Sequence, residues 1–408
     1  MEKLLEKYAN LAVKTGVNLQ KDQLLVVNSP VDCAEFARKV AEVAYETGAK
    51  EVIINWSDEK IGRLTYLNAA EEVFEEVPQW LVDRQMYFAN KGAAFISISA
   101  SNPENLKGVN PERIAKDNKS RSTALRAFSE KLMSNQNAWS IVSIPTEAWA
   151  TKVFKDETPE KAVELLWDAI FKIVRVDKED PVAAWKEHTD TLKKNMDFLN
   201  EKKFAKLHYT NSKGTDLWIK LPKGHLWAGG SEDTQGGVPF IANMPTEEVF
   251  TLPDKDGIDG VVYSALPLNY GGNLIDNFSL TFKDGVVVDF TAEKGADTLK
   301  HLLDTDEGSR RLGEVALVPY DSPISNSGII FFNTLFDENA SCHLALGKAY
   351  PSCIENGNNL STEELSKLGV NDSLTHVDFM IGTKDLNIVG YTENNEEIQV
   401  FKDGNWAI

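Results

Sequence analysis

The order of two hydrophobic periodicities along the chain constrains its fold more than any other feature. In the first part of the chain, short apolar runs alternate with stretches whose apolar residues recur at helical spacing. The run 23–28 precedes helical spacing over 32–47. Gly48 then supplies a C-cap, and a second run follows at 51–56. Two strands joined by a helix form a parallel βαβ unit, so the pattern predicts an α/β N-terminal domain with a parallel sheet over residues 1–190.

The same alternation continues as far as Asp190. Apolar runs at 92–99 and 138–144 add two strands, and helical spacing predicts helices at 118–133 and 159–174. Neither G-x-G-x-x-G nor G-x-x-x-x-G-K-[ST] occurs in the chain. The alternation therefore gives no sign of a nucleotide site.

Strands joined by tight turns dominate after Asp190. The turn Lys283-Asp284-Gly285 lies between two strand-like runs, which is a strong hairpin signal. Asn394-Asn395 lies between two further runs in the same way. The pattern predicts an α+β C-terminal domain, rich in hairpins, over residues 191–408.

Charge and cysteine content narrow the functional class. The 43 basic and 62 acidic residues give a formal charge of −19, which argues against nucleic-acid and anionic-membrane partners because no basic surplus neutralises phosphates. No apolar run approaches the ~18–20 residues of a membrane helix, and the amphipathic N-terminus lacks the features of a signal peptide. The three cysteines are widely spaced, as expected in a reducing compartment. These features predict a cytoplasmic protein without a membrane partner.

The apolar run 375–382 carries two polar side chains, His376 and Asp378. Side chains alternate between the faces of a strand, so these two point to the same side. Burying an imidazole and a carboxylate is costly unless something pairs with them. A divalent metal is one such partner and a structural His–Asp pair is another, and this segment alone leaves both open.

Other candidate ligands lie earlier in the second half. His343 has small or apolar neighbours, with Glu338 close in sequence. Glu314 begins an apolar strand, and Glu247 and Glu248 lie in an apolar segment bounded by prolines. Neighbouring residues of a strand face opposite ways, so at most one of this glutamate pair points into a site. Structural pairing would also explain each of these residues.

Imidazole and carboxylate ligands together suit zinc, manganese or cobalt. Two such ions ~3.5–4 Å apart form the usual hydrolytic pair. The chain contains neither H-E-x-x-H nor G-x-S-x-G, which argues against a zincin and against a serine hydrolase. The residues therefore favour a metal hydrolase. An amidase or phosphoesterase with the same ligands and a non-catalytic binding protein remain alternatives.

Several segments together resemble a known family, the thermophilic-type metallo-aminopeptidases, which include aminopeptidases T, S and II. The similarity covers essentially the whole chain, and it is greatest to the aminopeptidase S type of Gram-positive bacteria. The order and spacing of the matching segments agree with the family. These segments are 4–23, 243–253, 313–319, 336–351 and 375–382.

The resemblance implies a homodimer that removes N-terminal amino acids from peptides with two divalent ions, zinc, cobalt or manganese, in the C-terminal domain. It implies that Glu314 or Glu338 handles the proton of the attacking water and that Tyr350 assists catalysis. Six positions match acidic and histidine residues implied to bind metal. They are Glu248, Glu314, Glu338, His343, His376 and Asp378.

Overall fold

A computed structural model describes residues Met1–Ile408. The chain forms two compact units, one of Met1–Asp190 with Gly230–Thr246 and the other of Thr191–Gly229 with Glu247–Ile408. The domain division predicted at 190/191 stays a prediction. No helix combines the length and the hydrophobicity needed to cross a membrane.

The N-terminal unit contains the predicted parallel sheet. Its strands run parallel in the order β2-β1-β3-β4. The strands are β1 Leu24–Pro30, β2 Glu51–Ser57, β3 Ala94–Ser99 and β4 Trp139–Ser143, and the later segment adds the short pair β8 Glu232–Asp233 and β9 Pro239–Phe240.

Nine helices begin in this part of the chain, and the ninth continues into the C-terminal unit. They are α1 Glu2–Leu11, α2 Ala34–Thr47, α3 Glu59–Asn68, α4 Gln79–Asn90, α5 Pro111–Ala124, α6 Arg126–Met133, α7 Glu147–Val153, α8 Pro159–Ile173 and α9 Pro181–Lys202.

Local sequence explains where these helices end. Gly48 caps α2 in the left-handed region, at φ 102°, and its N–H bonds back to the last turn, which confirms the predicted C-cap. The prediction of a helix at 118–133 was wrong in one respect. Leu125, at φ −95° and ψ 9°, interrupts it and separates α5 from α6.

The C-terminal unit is built from antiparallel sheets, as predicted. The larger sheet has nine strands, and both predicted hairpins, β13–β14 and β18–β19, belong to it. Its strands are β5 Phe204–Thr210, β6 Asp216–Lys220, β11 Ile258–Tyr263, β12 Leu268–Tyr270, β13 Asn273–Lys283, β14 Val286–Lys294, β18 Asn387–Thr392, β19 Glu397–Lys402 and β20 Asn405–Trp406.

The smaller sheet has five strands in the order β17-β16-β15-β10-β7. They are β7 Ala228–Gly229, β10 Val249–Thr251, β15 Leu312–Leu317, β16 His343–Gly347 and β17 His376–Met380. Three short helices complete the unit. They are α10 Ala296–Leu303, α11 Thr334–Asp337 and α12 Thr362–Lys367.

The two faces of the five-stranded sheet have different roles. Val315, Leu344 and Phe379 are cross-strand partners in one row and face a large apolar core. Leu207 and Leu217 of the nine-stranded sheet contribute to the same core. Because side chains alternate along each strand, the neighbouring row faces the other way, and this second face carries the polar residues.

Candidate metal centre

The second face of the five-stranded sheet brings together residues that are distant in sequence. Glu314, Ala345 and Asp378 are partners across β15, β16 and β17. The adjacent rows pair Ala316 with His343 and Gly347 with His376. Directly opposed residues of antiparallel strands project to the same side. Small residues therefore alternate with the polar ones and leave space between them.

A β-bulge at Gly313 directs Glu314 into this face. Residues two positions apart on a regular strand face the same side. The pairing register shifts between Leu312 and Glu314, so Leu312 faces the apolar core while Glu314 faces the opposite side. Gly313 also approaches the next strand closely. A Cβ at this position would lie 2.4 Å from the Gly347 carbonyl oxygen and 2.5 Å from that of Lys348. A side chain here would displace backbone that belongs to the site.

Five of the predicted ligands form two groups that share Glu314. In the first, His343 Nε2 lies 2.9 Å from Glu248 Oε2 and 3.5 Å from Glu314 Oε1. In the second, His376 Nε2 lies 3.5 Å from Glu314 Oε2 and 3.4 Å from Asp378 Oδ1. Each oxygen of Glu314 thus faces a different histidine. His376 and Asp378 lie on one face, as the alternation predicted.

Backbone carbonyls orient both histidines. His343 Nδ1 lies 2.9 Å from the Glu338 carbonyl and 3.1 Å from that of Ser341. His376 Nδ1 lies 2.7 Å from the Lys348 carbonyl. A carbonyl oxygen only accepts, so each Nδ1 carries a proton and donates it. Nε2 of each ring is then the nitrogen that faces the carboxylates, and it would bind a metal ion once deprotonated. Sequence reasoning did not identify these carbonyls, because a backbone atom has no residue signature.

Burial and mutual repulsion perturb the carboxyl groups. Burial raises the pKa of Glu314 to about 7, although His343 and His376 act in the other direction. Burial also raises the pKa of Glu338 well above its ordinary value, and the charges of Asp378 and Glu248 add to the rise. Burial opposes ionisation of Asp378 as well, but His376 holds its pKa below the ordinary value.

The histidines respond in the opposite sense. Burial alone would lower the pKa of His343, but Glu248 and Glu314 raise it well above its ordinary value. Burial acts the same way on His376, and Asp378 is the main cause that raises its pKa to about 9. Both shifts reflect a strong attraction of this site for positive charge.

Two carboxylate oxygens confirm that attraction geometrically. Glu248 Oε2 and Asp378 Oδ1 are buried and form no hydrogen bond, although a histidine nitrogen lies near each of them. Leaving a buried carboxylate oxygen without a partner is costly. Carboxylate oxygens and imidazole nitrogens that face one another in this way match the ligand preference of zinc, cobalt and manganese. The residues present therefore fit divalent metal ions.

The remaining two predicted residues lie beside these groups. The Glu338 carboxylate is buried and belongs to neither three-residue group, yet Asp378 and Glu248 affect its pKa. The Tyr350 ring packs edge-on against His376, with ring centroids 5.0 Å apart. It also contacts Phe250 at 5.8 Å. These contacts fix the tyrosine ring next to one histidine of the centre.

A buried carboxylate–imidazole centre on a sheet face is the site of a metal-dependent enzyme. Residues 1–406 match the model of the thermophilic metalloprotease (M29) family, and the chain belongs to this family. The predicted family and the predicted enzyme class, a metalloprotease, are confirmed.

The relatives of this chain are named as aminopeptidases. Aminopeptidase 2 of Geobacillus stearothermophilus is 55% identical over 100% of this chain and 98% of the relative. Aminopeptidase AmpS of Bacillus subtilis is 53% identical over 99% of this chain and 98% of its own length. The structure of wild-type AmpT from Thermus thermophilus is 39% identical, with a TM-score of 0.91 and full coverage of both chains, which confirms the predicted fold class.

Proposed function

We propose that this protein is an aminopeptidase that removes N-terminal amino acids from peptides with two divalent ions. The observation that carries this proposal is the sharing of Glu314 between two groups of ligands. Glu248, Glu314 and His343 would hold one ion, and Glu314, His376 and Asp378 the other. Zinc, cobalt and manganese all suit these donors.

Paired divalent ions, when bound, lower the pKa of a shared water and polarise the scissile carbonyl. The protein supplies the proton transfer. Both oxygens of Glu314 face histidines, so we assign the general base to Glu338. Burial raises the pKa of Glu338, and the nearby charges of Asp378 and Glu248 add to the rise. Glu338 would accept the proton of the attacking water and pass it to the leaving amine.

Tyr350 is the proposed donor to the developing oxyanion. Its ring packs against His376 and Phe250, and from this position its hydroxyl would donate to the oxygen of the carbonyl under attack. A preorganised donor stabilises the charge that appears in the transition state more than it stabilises the substrate.

The buried carboxylates also explain why cleavage would begin at the N-terminus. A free α-amine is protonated in solution and is attracted to a site with excess negative charge. A blocked N-terminus offers neither the charge nor the amine lone pair. Discrimination between free and blocked peptides would follow from this difference.

We further propose that the protein is a homodimer. Helix α3 buries none of its residues and exposes Ile61 and Leu64, which are 59% and 54% accessible. These two residues lie three positions apart and share one helix face. An exposed apolar face of this kind is typical of an interface. A cytoplasmic location stays a prediction from composition.

The shared-ligand arrangement makes a stoichiometric prediction. The protein should contain close to two divalent ions per chain by elemental analysis after dialysis. Glu314→Gln should lose most of both ions, because it removes the negative charge that both sites share. Glu248→Gln should retain close to one ion. The neighbouring variant Glu247→Gln, with its side chain on the opposite face, should retain both. A Glu314→Gln variant with two tightly bound ions would contradict the bridging role.

Tyr350→Phe should retain both ions and a KM near the original value. The kcat should fall on the order of 10²–10³-fold, as for removal of one oxyanion donor. Tyr391→Phe, which alters a tyrosine packed on Trp218 of the nine-stranded sheet, is the control and should change neither constant. Loss of metal from Tyr350→Phe would instead make this residue a ligand or a packing residue.

Acetylation of the peptide N-terminus tests the exopeptidase assignment. It should slow cleavage at least tenfold, because losing one buried polar interaction costs ~1–3 kcal/mol and each ~1.4 kcal/mol is a factor of ten. Mass spectrometry of Leu-containing peptides with and without the acetyl group would show stepwise release from the free N-terminus. Equal cleavage of both, or internal fragments, would point to another dinuclear hydrolase such as an amidase or endopeptidase.

Light scattering should give about twice the chain mass of 45.4 kDa. Ile61→Lys combined with Leu64→Glu should shift the protein toward the monomer, because charges would replace the apolar face of α3. Val288→Glu is the matched control, since Val288 is 59% accessible on β14 of the C-terminal unit. A wild-type protein that is monomeric and fully active would rule out a functional dimer.

A further inference from the structure

We propose that Asn371 is a positioning residue for the metal centre. It holds the turn after β16, and the carbonyl of this turn orients His376. The role rests on the proposed function, because it requires His376 to bind metal. Asn371 lies outside the segments that carry candidate ligands. Its side-chain amide donates to backbone carbonyls and to none of the five residues that form the two ligand groups.

The first step is the contact between the turn and the histidine. The Lys348 carbonyl accepts from His376 Nδ1 at 2.7 Å. This bond sets both the tautomer and the rotation of the ring. A shift of the carbonyl would therefore rotate Nε2 away from Glu314 and Asp378, which lie 3.5 and 3.4 Å from it.

The second step is the conformation of the turn itself. Gly347 ends β16 at φ 108°, which is accessible to glycine and strained for other residues. A Cβ at Gly347 would lie 2.1 Å from the Thr375 carbonyl oxygen, so the close approach also requires glycine. Glycine permits this conformation but does not enforce it. In the Gly347–Lys348 peptide, the Lys348 N–H donates to the Thr375 carbonyl at 2.7 Å, and the Gly347 carbonyl requires a donor of its own.

Asn371 supplies this donor. It is 4% accessible, and its Nδ2 donates to the Gly347 carbonyl at 2.6 Å and to the Gly308 carbonyl at 2.8 Å. Its own backbone carbonyl accepts from the Ala349 N–H at 3.1 Å. Asn371 thus bonds to the residues on both sides of Lys348. The carboxamide is required because one nitrogen supplies both donors.

The chain offers a matched control for this arrangement. Asn137, in the N-terminal unit, is 3% accessible, and its Nδ2 also donates to two backbone carbonyls, those of Ala89 at 3.0 Å and Ala93 at 2.9 Å. Replacing either asparagine by aspartate keeps the size of the side chain and removes both donors. Both variants should lose thermal stability for the same reason, and only one should alter the metal centre.

The experiment titrates metal-free protein with Co²⁺ and follows visible absorption, with a chelator in competition. Asn371→Asp should bind one of the two Co²⁺ ions at least tenfold more weakly and change the absorption band, as expected for loss of a group that orients a ligand. Asn371→Ser, which keeps one donor, should fall between Asn371→Asp and wild type. Asn137→Asp should bind Co²⁺ as the wild type does. At saturating Co²⁺, the kcat of Asn371→Asp should return most of the way to the wild-type value.

His376→Ala separates failure of this inference from failure of the proposed function. If His376→Ala binds Co²⁺ as the wild type does, the ligand assignment is wrong and the positioning role falls with it. If His376→Ala loses an ion while Asn371→Asp and Asn371→Ser bind normally, only the positioning role is overturned. Adding Asn371→Asp to His376→Ala should weaken binding no further, because the effect of Asn371 passes through the histidine. Additive losses would contradict this route.

Discussion

The concentration of carboxylates on one buried face of the five-stranded sheet is the constraint on which the rest of the site depends. Glu248 and Glu314 are buried there, Asp378 lies beside them, and Glu338 is buried in the helical turn that precedes β16. Even with both histidines protonated, two positive charges would oppose four carboxylates. Carboxylates that lie so near one another cannot all ionise without added positive charge. Burial raises the pKa values of Glu314 and Glu338, and the charges of the neighbouring carboxylates add to the rise.

The sheet supports this charge because its two faces are used differently. The row of Val315, Leu344 and Phe379 packs into the apolar core and holds the strands rigidly. The adjacent row then presents Glu314 and Asp378 on a fixed frame. Strand positions are more precise supports for a site than loops are. Backbone carbonyls at the strand ends provide the remaining orientation by accepting from the histidines.

The parts that sequence could predict follow from periodicity. Alternation placed His376 and Asp378 on one face, and it predicted that at most one of Glu247 and Glu248 points into a site. The parallel sheet, the hairpins and the Gly48 cap followed from equally local patterns. Each of these rests on a few adjacent residues, which a single sequence displays directly.

The parts that sequence could not predict depend on contacts between distant segments. Nothing local to Gly313 indicates a bulge, because the bulge exists only in the pairing of β15 with β16. The carbonyls that orient the histidines belong to residues whose side chains are irrelevant to that role. Asn371 looks like an ordinary loop asparagine until its two acceptors are known. The membership of Gly230–Thr246 in the N-terminal unit is likewise a property of the folded chain.

The excess of carboxylates over imidazoles distinguishes this centre from a structural His–Asp pair. In a structural pair, the histidine would donate to the carboxylate and both groups would be satisfied. Here both histidines donate from Nδ1 to backbone carbonyls, and each Nε2 faces two carboxylates. One proton on each Nε2 does not balance the negative charge of Glu248, Glu314, Glu338 and Asp378. Protonating the histidines would relieve only part of the repulsion, because four carboxylates remain. A divalent cation bound between the carboxylates and the histidine nitrogens would supply the positive charge that the histidines alone do not.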